Sequence, residues 1–434
     1  MGVATVGVVG AGITGLAVTH YLAEYGVDCV TFEAGAEPGG VIESRVVEGR
    51  VLEAGPQRMR KTPAVADLLQ DLGIDDETIE APELPLYVYA DGELGEAPLS
   101  REAFLRSGLL SWRGKLRLLA EPLTSAGSPD ETVAELFTRK FGREAYETFI
   151  GPLYGGIYGS DPARMPARYA LSGLLEREQE VGNMLTAFRR RIGGTDGPPP
   201  PISFADGMQT LPRALANAHA GAIDLGTPVR DVSIAGESGG PTGGSPGDFV
   251  LETPGGDLAV DHLVVTTPAD VASALLDGVA AGAAGLAALT YNPLAIVHLL
   301  ADVDVEGMGY QVAFGEDLHT LGSSWNASLF DREGVYTVFL GGMHEPDIVG
   351  ASDEHLATVA TREFREVMGA DPAVLGVTRL ERGFPAYDRS WTALDDLDLP
   401  AGVHMATNYR SRMGVPSRIR EASDLAGSIA AAVD

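Results

Sequence analysis

A chain of 434 residues is too long for one ordinary hydrophobic core, so two or three domains are expected. Hydrophobic content of 45% with a mean hydropathy of +0.05 argues against a disordered or membrane-embedded chain. A net charge of −30 argues against a nucleic-acid partner, because such a surface repels phosphate.

Cys29 stands alone, which leaves no internal disulfide and no cysteine-built metal cluster, and no metal site is assigned. No basic stretch precedes the first apolar run, and the Ala-rich run after Val271 is broken by Asp277 and Gly278. A cytoplasmic protein without a transmembrane segment is therefore expected. Lysine occurs only at Lys61, Lys115 and Lys140, and acidic excess with scarce lysine suits a very salty cytoplasm.

In chain order, Ala4–Val9 reads as a strand, Ile13–Tyr25 as a helix and Val30–Phe32 as a second strand, with glycines at the first turn. From about Arg101 to Met184 the chain reads mostly helical; the segment Glu131–Ile150 opens with an acidic first turn. A Gly/Pro-rich linker at Gly193–Pro201 closes that block. Val229–Gly236 and the FVLETPGG segment then read as a hairpin with a long disordered tip, feeding the buried strand of HLVVTTPAD. AIVHLLADV, GYQVAFG and VYTVFLGG predict a mixed or antiparallel sheet, and the C-terminus reads as strand, glycine turn and long helix.

The spacing Gly10-x-Gly12-x-x-Gly15 has a direct physical meaning. The first glycine permits a tight turn, the second lets backbone approach a pyrophosphate, and the third permits close helix–strand packing. Ile13 and Thr14 then open a helix whose free N–H groups face the phosphate anion. Glu33, about 20 residues on, is placed to accept hydrogen bonds from ribose hydroxyls and would repel a 2′-phosphate, which leaves NAD or FAD.

The next glycine pair, Gly39–Gly40, follows Ala34 and precedes Val41, Gly55, Pro56, Gln57 and Arg58. This extended segment resembles that of the FAD-containing amine-oxidase and porphyrinogen-oxidase superfamily. Further pieces resemble it in the same order: TPVRDVSI with Val229 where backbone would meet adenine, VVTTP with Thr267, and NYRSRMGVP with Asn408, Met413, Gly414 and Val415 at the flavin's pyrimidine end. The resemblance implies non-covalent FAD and an α/β fold. It divides into a discontinuous Rossmann-like, glutathione-reductase-like FAD domain (1–80, 202–285, 392–434), a mixed-sheet substrate domain (81–99, 286–391) and an inserted helical domain (100–201).

Leu110–Leu123, Glu131–Met165, Ser203–Leu215, Ala327–Gly334 and Val338–Ile348 resemble the oxygen-dependent protoporphyrinogen/coproporphyrinogen oxidases. The resemblance implies removal of six electrons from a porphyrinogen to give the porphyrin, with O2 as acceptor and H2O2 as product. No catalytic side chain is assigned, since flavin N5 takes the hydride and the protein orients a flat substrate. Candidate substrate contacts are Arg60, Tyr154, Gly155, Tyr310 and Val312, with Lys61 and the Arg189–Arg191 run as further cations for propionates and Arg58 shared between flavin and substrate roles. Tyr291, Tyr310 and Phe314 read as core before substrate contacts, so Tyr310 stays open between the two roles. Leu86, Leu380 and Ser417 stand where relatives carry a propionate-binding arginine, a tryptophan and an aspartate, so the sequence leaves the substrate open between protoporphyrinogen and coproporphyrinogen.

Amine oxidases and carotenoid-type desaturases are the nearest rivals. Many amine oxidases carry a lysine beside the flavin on the central sheet, whereas all three lysines here precede Gly142. A flavin-free escort protein of the same fold is the alternative outside enzymes. The SWRGKLRLL helix is a candidate for peripheral membrane contact; oligomeric state is not legible.

Overall fold

The computed structural model describes residues 5–192, 199–235, 249–410 and 413–433. The Gly193–Pro198 part of the linker and the hairpin tip lie outside the described residues. The side chains of the Arg189–Arg191 run, on the helix Met184–Ile192, do so too.

A five-stranded parallel sheet sets the frame. Its order is Ile223–Asp224, β2 (Asp28–Phe32), β1 (Thr5–Val9), His262–Val265 and Val403–Met405. The strands read as unbroken apolar runs because both faces are covered. Val6, Val8 and Val264 point into a core shared with α1 (Ile13–Glu24) and the C-terminal helix Val415–Val433. Val9, Leu263 and Val265 point the other way, against Leu251 and Val260 of an antiparallel three-stranded sheet. In that sheet Asp231–Ile234 and Phe249–Thr253 form the expected hairpin, and Gly256–Val260 adds its third strand.

The second large sheet has seven strands, antiparallel except where Gly309–Val312 runs parallel to Leu86–Ala90. This is the expected mixed sheet. Two long elements lie beyond the sequence expectations: the helix Asp353–Met368 and the edge strand Ala373–Pro385. The helix packs Leu356, Val359, Ala360 and Phe364 against Ala295, Val297, Val338 and Leu340 on one sheet face.

The helical block runs from Arg101 to Ile192 and meets the second sheet where the helix Gly151–Tyr158 contacts the strands Gly309–Val312 and Thr320–Ser324. The acidic turn expected near Glu131 is a capping box. Thr132 Oγ1 accepts from Glu135 N, and the Glu135 carboxylate accepts from Thr132 N, so two N-terminal amides are satisfied. Buried inside the block is an ionic cluster. Lys140 Nζ meets Glu121 at 3.2 Å and also Glu178, and all three side chains are at most 2% exposed. Glu121 additionally accepts from Met184 N and Leu185 N, and Glu178 from Gly127 N. One charge cluster thus ties four segments of the block together. On its surface, helix Trp112–Leu119 exposes Trp112, Leu116 and Leu119 at helical spacing.

Candidate active site

The separated sequence pieces meet at the C-terminal ends of β1, His262–Val265 and Val403–Met405, where ligands bind in open parallel sheets. Gly10 has φ +105°, a conformation that favours glycine, and Thr266 Oγ1 secures the turn by donating toward Val9 O and Gly10 O at 2.9 and 3.1 Å. A Cβ on Gly15 would lie 1.9 Å from Gly10 O, so only glycine lets helix and strand approach this closely. Gly12 differs. It caps α1 in extended conformation, and a Cβ there would meet nothing within 4 Å. Open space at the N-terminus of a 12-residue helix is what an anion needs.

The other glycine pair forms the floor of that space. Gly39 N donates to Ala11 O, Gly39 bridges Gly12, and a Cβ on Gly40 would touch Gly12 Cα at 3.4 Å. Val41, 50% exposed, faces outward beside it, and a Cβ on Gly55 would collide with Val41 O at 1.8 Å. Ile13 and Thr14 are buried at the start of α1, while Ala34 is exposed. The Glu33 carboxylate accepts from Ala11 N and Gly35 N, each at 2.7 Å, so it braces the turn; remaining lone pairs could accept from hydroxyls.

Segment 53–58 is pinned by the second sheet and the turn after it, which no local sequence signal announces. Asn326 Nδ2 donates to Gln57 Oε1 at 2.8 Å and Arg58 Nη1 to Ser324 Oγ at 2.7 Å. Arg332 pairs with the fully buried Glu53, whose carboxyl is pushed up chiefly by burial, against the pull of Arg332 and its hydrogen bonds. Arg58 makes no ion pair among the described residues. Burial, helped by Arg60, lowers its guanidinium to about 10, which leaves it charged at neutral pH. An inward cation without a carboxylate suits an anionic ligand. Pro56 lies half-buried between Gly55 and Gln57.

At the far end, Tyr409 OH donates to Thr267 O at 3.1 Å, which joins the two late pieces. Thr267 Oγ1 is buried with no hydrogen-bond partner among the described residues. Asn408 and Met413 are half-buried, Gly414 is exposed and Val415 is buried at the start of the C-terminal helix. Val229 is half-buried beside Arg230, whose N–H donates to Glu252 O. An open glycine cradle, an orphaned hydroxyl and an unpaired cation fit a dinucleotide bearing a large planar group.

His298 holds the same segment by donating from Nε2 to Glu53 O at 3.0 Å. Burial lowers its imidazole to about 4, that hydrogen bond opposing and Arg45 and Arg332 adding repulsion. Above pH 6.5 folded and unfolded chains both carry it neutral. Between pH 6.5 and about 4 only the unfolded chain takes up the proton, so stability falls with acid, by up to ~3 kcal/mol from this residue. Urea midpoints between pH 6.5 and 5 should decline less steeply in His298→Gln; an unchanged slope contradicts this assignment.

The expected substrate contacts do not gather. Tyr310 is 1% exposed and Val312 is buried, both in the core beneath helix Asp353–Met368, with Tyr310 against Trp325. Strand alternation sends Gln311 to the opposite face, where its amide lies against Gly156. Gln311 Oε1 is buried and unpartnered among the described residues, a polar group that sequence reasoning missed. Tyr154 stacks among Phe137 and Tyr158, and Gly155 is buried against Ser160 and Phe314. Arg60 is exposed at a short strand edge and donates to Pro199 O. Lys61 is paired with Asp75 at 2.6 Å. Phe314 packs on Tyr146 and His344, Tyr291 OH accepts from Ala269 N, and Leu86 and Leu380 lie within strands of the second sheet.

Fold and site define a dinucleotide-binding protein that combines a parallel sheet, a second, mixed sheet and a helical block. The chain belongs to the flavin containing amine oxidoreductase family, whose model matches residues 13–426, and FAD is its cofactor. It is 26% identical over 470 residues to protoporphyrinogen oxidase 2, chloroplastic/mitochondrial, of Arabidopsis thaliana, covering 95% of this chain and 91% of that one. Human protoporphyrinogen oxidase is 28% identical over 382 residues, covering 78% and 77%. Coproporphyrinogen III oxidase of Staphylococcus aureus is 30% identical over 201 residues, 43% of each chain. Among solved structures, cyclohexylamine oxidase of Brevibacterium oxydans matches the fold at TM-score 0.72 and 16% identity, with 100% of both chains covered. No helix among the described residues is long and apolar enough to cross a membrane.

Proposed function

We propose that this flavoenzyme oxidises a porphyrinogen, protoporphyrinogen IX or coproporphyrinogen III, to the porphyrin in haem biosynthesis in the cytoplasm, with O2 as acceptor and H2O2 as product. The observation that carries this reading is relatedness to protoporphyrinogen oxidases along 95% of the chain, helical block included. Bound FAD supplies the hydride acceptor for a methylene bridge. The chain's part is to bind and orient. Gly10, Gly12, Ile13, Thr14 and Gly15 take the pyrophosphate on the first turn of α1, and Glu33 with Ala34 takes the ribose. Gly39, Gly40, Val41, Gly55, Pro56 and Gln57 line the flavin, Val229 meets adenine, and Thr267, Asn408, Met413, Gly414 and Val415 close the pyrimidine end. Arg58 places positive charge where reduced flavin or a propionate carries negative charge.

The lysines support this reading over amine oxidation. Lys61 is paired with Asp75, Lys115 Nζ donates to Leu105 O and Ser107 O, and Lys140 lies between two buried glutamates. None reaches the second sheet. No protein base is required either, because delocalisation into the flanking pyrroles stabilises the developing cation and pyrrole N–H protons leave to solvent. The test is aerobic incubation of the yellow protein, in high salt, with each porphyrinogen and with simple amines. Porphyrin fluorescence should rise well above the enzyme-free control for at least one porphyrinogen. Oxidation of amines alone would replace this reading, and a purified protein without flavin would favour an escort role.

A further inference from the structure

A cluster in the C-terminal half of α1, away from the glycine turn, has the composition of a metal site. His20 and Glu24 lie four residues apart on one face of α1, and Asp71 ends the helix Pro63–Asp71. One ligand atom from each lies within 4.8 Å of the others. The His20 side chain is only 8% exposed, yet its Nε2 has no hydrogen-bond partner among the described residues; Glu24 Oε1 stands 3.8 Å away, beyond hydrogen-bond reach. The other ring nitrogen, Nδ1, lies 3.1 Å from His219 Nε2. With the proton on Nδ1, His20 donates to His219 and turns the Nε2 lone pair toward the two carboxylates. Metal-binding histidines are oriented by an outer partner in this way.

We propose that His20, Glu24 and Asp71 bind a divalent transition-metal ion of the zinc type, with water completing the shell. An imidazole nitrogen with two carboxylates suits zinc and its neighbours, whereas magnesium and calcium take oxygen ligands alone. Donors about 2.0–2.2 Å from a tetrahedral zinc lie roughly 3.4 Å apart. The present spacing therefore closes by small rotations of Glu24 and Asp71, both exposed, onto the fixed histidine. His20 lies eight residues beyond Gly12, ~12 Å along the helix, so the ion acts as a tie between two helices of the cofactor layer rather than in the redox step. The site is independent of which substrate the enzyme oxidises.

A chain of net charge −30 also attracts cations diffusely, so the test must separate the two. Untagged, flavin-loaded protein is stripped with a chelator and dialysed against Zn2+ in millimolar Mg2+, and bound zinc is counted. One tight equivalent is expected, weakened about tenfold or more in His20→Gln and in Glu24→Gln/Asp71→Asn, with a zinc-dependent rise in Tm only in the parent. The carboxylate pair is exposed, so that double variant folds and keeps its flavin. Equal affinity in the double variant, or no tight equivalent in the parent, overturns the assignment.

Discussion

Gly12→Val will purify folded and colourless. A Cβ at Gly12 meets nothing within 4 Å, so the valine costs the polypeptide little beyond a modest loss of helix-capping preference. The same branched side chain occupies the space through which a pyrophosphate reaches the first-turn amides of α1. Flavin absorbance near 450 nm should fall to about a tenth or less of the parent ratio to protein absorbance, roughly 1.4 kcal/mol or more of binding lost, while far-ultraviolet circular dichroism is retained. Gly15→Val makes the complementary case. Its Cβ would lie 1.9 Å from Gly10 O, backbone against backbone, so the turn itself must open and the protein should be poorly folded as well as colourless. A Gly12→Val variant that keeps its full complement of flavin would show the dinucleotide to lie elsewhere.

Lys140→Met is expected to cost about 3–5 kcal/mol of unfolding free energy, because it strands Glu121 and Glu178 as buried carboxylates without their cation. Few single side chains outside the glycine turn should matter more. The loss belongs to the helical block, since these carboxylates also hold Met184 N, Leu185 N and Gly127 N. Adding Glu121→Gln and Glu178→Gln to Lys140→Met should recover much of the deficit, as neutral amides can still accept from those backbone donors. Urea unfolding of the two variants checks this. A single-variant loss below about 1 kcal/mol would mean that the cluster is solvated rather than buried.

The cofactor layer was legible because its demands are local. Gly10, Gly12 and Gly15 meet needs set by one turn, and β1 and His262–Val265 read as apolar runs because both faces are covered. What stayed hidden depends on distant partners. The helix Asp353–Met368 carries a buried charge on its apolar side: Glu363 is fully buried and accepts from Thr320 N and Oγ1, which breaks the amphipathic pattern. The strand Ala373–Pro385 lies at a sheet edge with only Pro385 buried, and charges at Arg379, Glu381 and Arg382 interrupt its apolar run, so it lacks a core signature.

The same limit explains the substrate contacts. Alternation in Gly309–Val312 sets Tyr310 and Val312 against Gln311, but only the packing of helix Asp353–Met368 decides which face is core. The bonds from Arg58 to Ser324 and from Asn326 to Gln57 join residues more than 260 positions apart, beyond any motif. Cofactor chemistry is concentrated in short stretches, whereas the substrate surface is assembled by tertiary packing.

The central claim, that bound flavin draws hydride from a porphyrinogen, is tested most directly by anaerobic mixing of the oxidised holoenzyme with a stoichiometric porphyrinogen. The flavin band near 450 nm should bleach as the substrate is consumed, and admitting O2 should restore the band while porphyrin fluorescence grows. A flavin that stays oxidised through exposure to both protoporphyrinogen IX and coproporphyrinogen III, in a protein that a chemical reductant still bleaches, would contradict the account.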